Sequence, residues 1–224
     1  MQDGRKGVLS FNGDIGMRKI SNQLVLKGTT TVGVVCTDGV ILCSDTRVTM
    51  GAFIAHKKGK KIHKIDDHIA LTISGSVADA QRVVEILAAN ARLYKIDFGR
   101  PIPIHAASRL VSNLLFSARY APLIAQVIVG GIDDTGSHVF VLDPLGSLTE
   151  EKCVATGSGS PVAYGVLEDR YQEGISVKDM LPIVTHAVIA AMKRNTASGD
   201  SFDVAIINKD GYRELVDEEK KSVA

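Results

Sequence analysis

The pattern of hydrophobic and polar positions changes abruptly at Thr29. Before it, residues 1–28 are rich in glycine and charge and show neither a helical nor a strand period. After it, two apolar runs, Thr29–Cys36 and Val40–Arg47, flank Thr37-Asp38-Gly39 and predict a β-hairpin. We therefore expect a detachable leader, followed by a folded region that opens with this hairpin.

The later strands and helices are predicted in two batches. Further strands are predicted over Ile69–Ile73, Leu123–Ile132, His138–Asp143, Leu148–Thr156 and Phe202–Asn208. Helices are predicted over Val77–Tyr94, Ile104–Ala118, Pro161–Tyr171 and Val177–Arg194, and the charged tail after Leu215 is expected to fray. Because helices follow each batch of strands in pairs, the order predicts an α+β fold, a four-layer αββα sandwich of two antiparallel sheets with helices on both outer faces.

The length of the hairpin loop decides which side chains share a face with Thr29. A two-residue turn at Asp38-Gly39 would put Asp45 on the opposite face of the sheet. A three-residue loop, Thr37–Gly39, would put Asp45 and Arg47 on the face of Thr29, with Asp45 roughly 7 Å along the sheet. Only the three-residue loop would let Asp45 act on Thr29 through one intermediary group from the same face, so the geometric argument for a shared site depends on it.

Composition and charge narrow the class of protein. A chain of 224 residues with 45% hydrophobic content and no linker predicts a single domain over residues 29–224. The net charge of +1 gives no reason to expect nucleic acid or an anionic membrane as a partner. No apolar run could span a bilayer, and Leu24-Val25-Leu26 is too short for the core of a signal peptide, so we expect a cytoplasmic protein.

The three cysteines and one basic run have structural rather than functional interpretations. Cys36, Cys43 and Cys153 lack metal-binding spacing and are predicted to be free thiols in a reducing compartment. The basic run His56–Ile65 has the composition of a solvated turn, and no aromatic residue is interleaved with its charges as a nucleic-acid site would require.

The run of threonines from Thr29 would by residue type alone be an ordinary strand start. A threonine hydroxyl is a poor nucleophile until a base takes its proton, and an α-amino group has a pKa of about 7.7–8.0. If Thr29 began the mature chain, one residue would supply both nucleophile and base. Gly28 suits the junction because it has no Cβ, and the N–H of Gly75, at a strand end, could face a developing oxyanion. A lysine held by Asp45 would lower the hydroxyl pKa.

An ordered set of motifs resembles the β subunits of the proteasome core particle, most closely the archaeal type. The likeness runs in register from Thr29 to about Asn208, and the family fold is the αββα sandwich of N-terminal nucleophile hydrolases. The motifs are Gly28-Thr29-Thr30-Thr31-Val32-Gly33, Asp45-Thr46-Arg47, Lys61, Ser74-Gly75-Ser76, Gly157-Ser158-Gly159-Ser160 and Ser198-Gly199-Asp200.

The resemblance implies a threonine endopeptidase that cleaves its own propeptide, residues 1–28, at Gly28-Thr29 and degrades unfolded proteins to peptides. It implies seven catalytic positions: Thr29, Asp45, Lys61, Gly75, Ser158, Asn195 and Ser198. It implies a substrate pocket lined by Val48, Thr49, Gly59, Ile73 and Val77, whose small or apolar side chains favour cleavage after apolar residues.

One position departs from the family pattern, since Asn195 stands where an aspartate is usual. Asparagine keeps hydrogen bonds but cannot balance positive charge. An alternative is therefore a catalytically weak or inactive structural β subunit of the same ring. A hydrolase of small amides shares the nucleophile logic but fits the Asp-Thr-Arg and Ser-Gly-Ser motifs less well.

By resemblance, the partners are other β subunits in a heptameric ring, a second β ring, flanking α-subunit rings, and unfolded substrates delivered by a regulatory ATPase. Neither a metal nor an organic cofactor is expected, and neither nucleic acid nor a membrane is an expected partner.

Overall fold

The computed structural model describes residues 28–223, so the predicted propeptide, apart from Gly28, lies outside the described residues. The strands within this range are β1 (Thr31–Cys36), β2 (Gly39–Asp45), β3 (Val48–Met50), β4 (Phe53–His56), β5 (Ile62–Asp66), β6 (Ile69–Gly75), β7 (Ala125–Asp133), β8 (Gly136–Leu142), β9 (Leu148–Glu150), β10 (Cys153–Thr156), β11 (Phe202–Asn208) and β12 (Gly211–Glu214). The helices are α1 (Val77–Phe98), α2 (Ile104–Ser117), α3 (Ser160–Arg170), α4 (Val177–Arg194) and α5 (Asp217–Val223).

Two five-stranded antiparallel sheets carry the fold. The first sheet has the strand order β10-β1-β2-β11-β12, and the second has the order β5-β6-β7-β8-β9. A short two-stranded sheet, β3-β4, lies in the chain between them. The predicted α+β class with antiparallel sheets is confirmed.

Three hydrophobic clusters follow from the alternation along the strands. In β2, Ile41 packs under α3 and α4 with Met180, whereas Leu42 packs against Ile128 of the second sheet. The opposite face of the second sheet packs against α1 and α2 through residues such as Leu87. The clusters give the layer order α1 and α2, second sheet, first sheet, α3 and α4, which matches the predicted sandwich.

Two predicted elements are corrected by the structure. The stretch Leu148–Thr156 is not one strand, because β9 pairs with β8 in the second sheet and β10 pairs with β1 in the first. The segment after Leu215 contains helix α5, which is tied down by an ion pair of 2.9 Å between Lys220 and Asp203.

The hairpin loop also differs from both predicted alternatives. Cys36 pairs with Gly39, so the turn is Thr37-Asp38 and neither predicted loop forms. Continuing this register places Thr30 opposite Asp45, so the predicted shared face for Thr29 and Asp45 is wrong. A tertiary contact explains why the turn forms at Thr37-Asp38. The Asp38 carboxylate accepts the N–H of Val177, the first residue of α4, at 2.7 Å.

The basic run is only partly a solvated turn. Lys57 and Lys58 are exposed, but the run continues into β5, and Lys61 is buried. Strand β5 was not predicted because it lacks a regular alternation of apolar and polar residues. A bulge after Lys64 puts Ile62 between the sheets but Ile65 under α1, so the two apolar residues are three positions apart.

The three cysteines are free, as predicted, and burial raises the pKa of Cys36 and of Cys153 to about 12. Among residues 28–223, no helix combines the length and the apolar character needed to cross a membrane.

Candidate active site

A buried ion pair joins the two large sheets. Asp45 ends β2 in the first sheet, and Lys61 immediately precedes β5 in the second. The Lys61 Nζ lies 2.7 Å from Asp45 Oδ1, and the aspartate side chain is fully buried. The backbone N–H groups of Thr30, Arg47 and Gly199 also donate to this carboxylate, at 2.8, 3.1 and 3.0 Å. The buried negative charge of Asp45 is therefore well compensated.

Lys61 is the cation of the site. Burial lowers the pKa of Lys61, and the adjacent Asp45 carboxylate opposes that shift. Lys61 lines the same cavity as Thr29. Because charges act more strongly where water is excluded, an ammonium here is suited to lowering the pKa of a neighbouring hydroxyl.

Thr29 lies two residues before the start of β1 and is held between two loops. Its carbonyl accepts the N–H of Gly159 at 3.2 Å. A Cβ on Gly157, where φ is +86°, would lie 2.2 Å from that carbonyl oxygen. A Cβ on Gly28 would lie 1.7 Å from the Cβ of Ala197. Glycine is therefore a steric requirement at position 157, in one of the contacting loops, and at position 28, in the junction itself.

Asn195, the residue that ends α4, connects the two serines of the site. Its Oδ1 accepts the N–H of Ala197 at 3.1 Å, which fixes the orientation of the amide. Its Nδ2 therefore faces the serines and donates to Ser158 Oγ and Ser198 Oγ. Ser198 in turn hydrogen-bonds the Thr30 hydroxyl at 2.8 Å.

Arg47 clamps the loop that carries Ser198. Its Nε donates to Asp200 Oδ2 at 2.8 Å, and its Nη1 donates to the carbonyl of Thr196 at 2.8 Å. The guanidinium lies against Gly199, where a Cβ would come within 2.4 Å of it. The hydrogen bond to Asp200 raises the pKa of Arg47, so this clamp stays charged.

A cavity of about 320 Å³ opens beside Thr29 and divides the predicted residues into two groups. Three predicted catalytic residues and all five predicted pocket residues line it: Thr29, Lys61, Gly75, Val48, Thr49, Gly59, Ile73 and Val77. Asp45, Asn195 and Ser198 do not line it, and Ser158 instead lines a neighbouring depression with Gly75. The second group thus supports the site from behind the cavity wall.

Several cavity residues were not predicted from the sequence, among them His63, Ala80 and Gln81. Ala80 and Gln81 follow Val77 by three and four residues on α1, so helical spacing could have found them. His63 follows Lys61 by two, which is strand spacing, and it was missed together with β5.

Residues 28–223 contain no group of three or more His, Cys, Asp or Glu side chains able to hold a metal ion. The charged groups at Thr29 are instead engaged with one another and with backbone N–H groups. The cavity leaves room for a ligand beside Thr29 and Lys61.

Comparison with known proteins gives a consistent family. Residues 25–207 match the family model described as proteasome subunit. A proteasome subunit beta of Methanosarcina barkeri is 48% identical over 205 residues, which cover 91% of this chain and 97% of that protein.

Two other relatives agree. The proteasome subunit beta of Methanohalophilus mahii is 50% identical over 197 residues, covering 88% of this chain and 94% of its own length. That of Methanocaldococcus jannaschii is 49% identical over 201 residues, covering 89% and 90%.

Proposed function

Because the chain belongs to the proteasome subunit family and resembles its β subunits throughout the folded region, we propose that it is a threonine endopeptidase activated by cleavage between Gly28 and Thr29. The observation that carries this proposal is the cavity shared by Thr29 and Lys61, with Asp45 bonded to Lys61 behind it.

The proposed reaction begins when the α-amino group of the freed Thr29 takes the proton of its own hydroxyl. Lys61 lowers the hydroxyl pKa, and Asp45 keeps Lys61 charged and oriented. The hydroxyl oxygen attacks the substrate carbonyl, and the Gly75 N–H stabilises the oxyanion. When the oxyanion collapses, the peptide bond breaks and the α-ammonium of Thr29 gives its proton to the leaving amine, which leaves an acyl ester on Thr29. The α-amino group then takes a proton from water, the water oxygen adds to the ester, and the acid departs as the same proton returns to the Thr29 oxygen.

The supporting residues have proposed roles as well. Ser158 and Ser198, both bonded to Asn195, position the threonine junction. Val48, Thr49, Gly59, Ile73 and Val77 form the pocket for the residue before the scissile bond, and their character favours apolar side chains there.

Membership of this family implies assembly into a proteasome core with other subunits. We propose a heptameric β ring stacked on a second β ring between α rings, with unfolded proteins delivered by a regulatory ATPase. We also propose a cytoplasmic location, which agrees with three free thiols.

The N-terminus of the chain in assembled particles tests this proposal. The expected mature chain begins at Thr29, and a Thr29→Ala variant should retain residues 1–28 and lose peptide hydrolysis. A chain that still begins at Met1 in active particles, or normal processing of the Thr29→Ala variant, would contradict self-processing by Thr29.

A second candidate is a structural β subunit with little activity of its own, and Asn195 is the observation that favours it. In that case a threonine-directed covalent inhibitor would fail to label correctly processed Thr29. Labelling of Thr29 together with peptide hydrolysis would exclude this candidate.

A further inference from the structure

His63 combines a titratable ring with a place on the wall of the Thr29 cavity. In the pairing of β5 with β6 it lies opposite Leu71, a register that brings Lys61 opposite Ile73. Directly opposite residues project to the same face of a sheet, so His63 shares its face with Lys61 and Ile73. All three line the cavity, and His63 is partly buried there.

The other cations of the cavity already have carboxylate partners. Arg47 pairs with Asp200 at 2.8 Å, Lys60 with Glu214 at 2.7 Å, and Lys61 with Asp45 at 2.7 Å. These three carboxylates do not line the cavity.

The remaining groups that face His63 include no carboxylate that could pair with a protonated ring. His56, at the end of β4, also lines the cavity but is exposed. Helix α1 contributes the uncharged Ala80 and Gln81 to the wall. Within residues 28–223 the His63 ring makes neither a hydrogen bond nor an ion pair, so a proton on this ring would create a cation available to a ligand.

Burial lowers the pKa of His63; nearby Lys60 adds to this effect, and Glu214 opposes it. The ordinary pKa of histidine is about 6.5. The ring is therefore neutral at pH 7 and gains its charge only as the pH falls below that ordinary value.

We propose that His63 makes substrate selection in this cavity depend on pH. At neutral pH the uncharged ring completes an apolar wall with Val48, Ile73 and Val77, which suits an apolar side chain before the scissile bond. As the ring is protonated, it offers a partly desolvated cation to an aspartate or glutamate side chain at the same position. This inference rests on the proposed peptidase function of Thr29.

The test uses assembled particles and three fluorogenic peptides that differ only in the residue before the scissile bond: leucine, glutamine or glutamate. The kcat/KM of each is measured from about pH 5.5 to about pH 8, a range that spans histidine titration. The glutamate-to-glutamine ratio cancels titrations that affect both substrates equally, including those of the Thr29 amine and Lys61. This ratio should rise about fivefold towards low pH, as expected of a single partly screened charge pair.

Two variants identify the group responsible. In His63→Gln the ratio should stay nearly flat with pH, whereas the matched control His56→Gln should keep the wild-type rise. A flat ratio in the wild type, or an equal rise in His63→Gln, would overturn the role of His63.

Hydrolysis of the leucine peptide separates this inference from the proposed function. If that hydrolysis persists while the ratio stays flat, only the role of His63 is wrong. If no Thr29-dependent hydrolysis of any peptide occurs, the peptidase function fails as well. Leucine-peptide activity in His63→Gln also shows that the variant folds and assembles.

Discussion

At the scale of single residues, the central contact is the one between Asp45 and Lys61. Removing one member of a buried ion pair leaves the other charge without its partner, which typically costs about 3–5 kcal/mol or forces a change of protonation. In an Asp45→Asn variant, burial and the Arg47 charge would act on Lys61 with only the weaker effect of Asp203 against them, so the pKa of Lys61 would fall further.

Asp45→Asn should accordingly reduce both propeptide cleavage and peptide hydrolysis, by about 100-fold or more, the scale of losing one electrostatic catalytic contribution. The measurements are the fraction of chain that begins at Thr29 and the kcat of particles. Asp200→Asn is the matched control, because it removes an exposed carboxylate from the Arg47 clamp and should leave most activity intact. Equal losses in both variants would show that loop order, rather than the Lys61 charge, is what matters.

Asn195 sets the direction of hydrogen bonding around the junction. Its Nδ2 donates to Ser158 and Ser198, so the proton of each serine is free to point elsewhere. A Cβ built on Gly28 would lie 3.0 Å from Ser158 Oγ, which places that hydroxyl beside the Gly28-Thr29 junction. Ser158 can therefore donate to a neutral terminal amine on Thr29, and donation to the neutral form favours the base.

Asn195→Asp should reverse this arrangement. The carboxylate would accept from both serines, Ser158 would accept from the terminal ammonium, and the added negative charge would raise the amine pKa. Because the neutral amine is the base in the proposed reaction, the acidic limb of kcat/KM against pH should move to higher pH, by roughly one unit. Asn208→Asp, at the far end of β11, is the control and should leave the limb in place. If the acidic limb of the Asn195→Asp profile stayed in place, residue 195 would not influence the pKa of the terminal amine of Thr29.

The residues expected at the candidate site came from the family resemblance, whereas the contacts among them could not be derived from the sequence. Thr29, Lys61 and the five pocket residues do line one cavity. Their distances depend on strand register and loop path, which local residue patterns do not encode. His63 was missed for this reason, since its place on the wall follows from the pairing of β5 with β6.

At the scale of elements, strongly periodic segments were predicted well and tertiary contacts decided the rest. The bounds of α4 and β11 agree with the pattern of apolar positions, because each buries one continuous face. The first hairpin was placed wrongly because Asp38-Gly39 is a strong turn signal by itself. In the structure Asp38 instead serves α4, and the turn shifts by one residue to Thr37-Asp38.

The contact between this turn and α4 gives a prediction for stability. Asp38→Ala removes the acceptor for the Val177 N–H at the start of α4, and losing such a cap typically costs about 1 kcal/mol. The thermal midpoint of the variant should fall by a few degrees, with no change in the site. Ser176→Ala, which removes the hydroxyl that accepts the Asp179 N–H of the same helix, should cost a similar amount. No change in Asp38→Ala would show that water replaces the aspartate without loss.

At the scale of the whole molecule, the site is divided between the two sheets. Asp45 ends β2 of the first sheet and Thr29 lies just before β1, whereas Gly75 ends β6 of the second sheet and Lys61 lies just before β5. The layer of side chains between the sheets therefore sets the distance between Thr29 and the Lys61 ammonium. Clusters on the outer faces stabilise the fold without lying between these groups.

Ile128→Ala and Met180→Ala test this division. Both side chains are fully buried, Ile128 between the sheets and Met180 on the face of α4 that packs against the first sheet, and each truncation should cost about 2–5 kcal/mol. The thermal midpoints should therefore fall by similar amounts. The kcat of assembled particles, measured well below both midpoints, should fall more in Ile128→Ala, because a change in sheet spacing shifts Lys61 relative to Thr29 and small misplacements slow positioned reactions. Equal kcat values at equal stability loss would mean that the Asp45–Lys61 ion pair holds the two halves of the site together without help from the core.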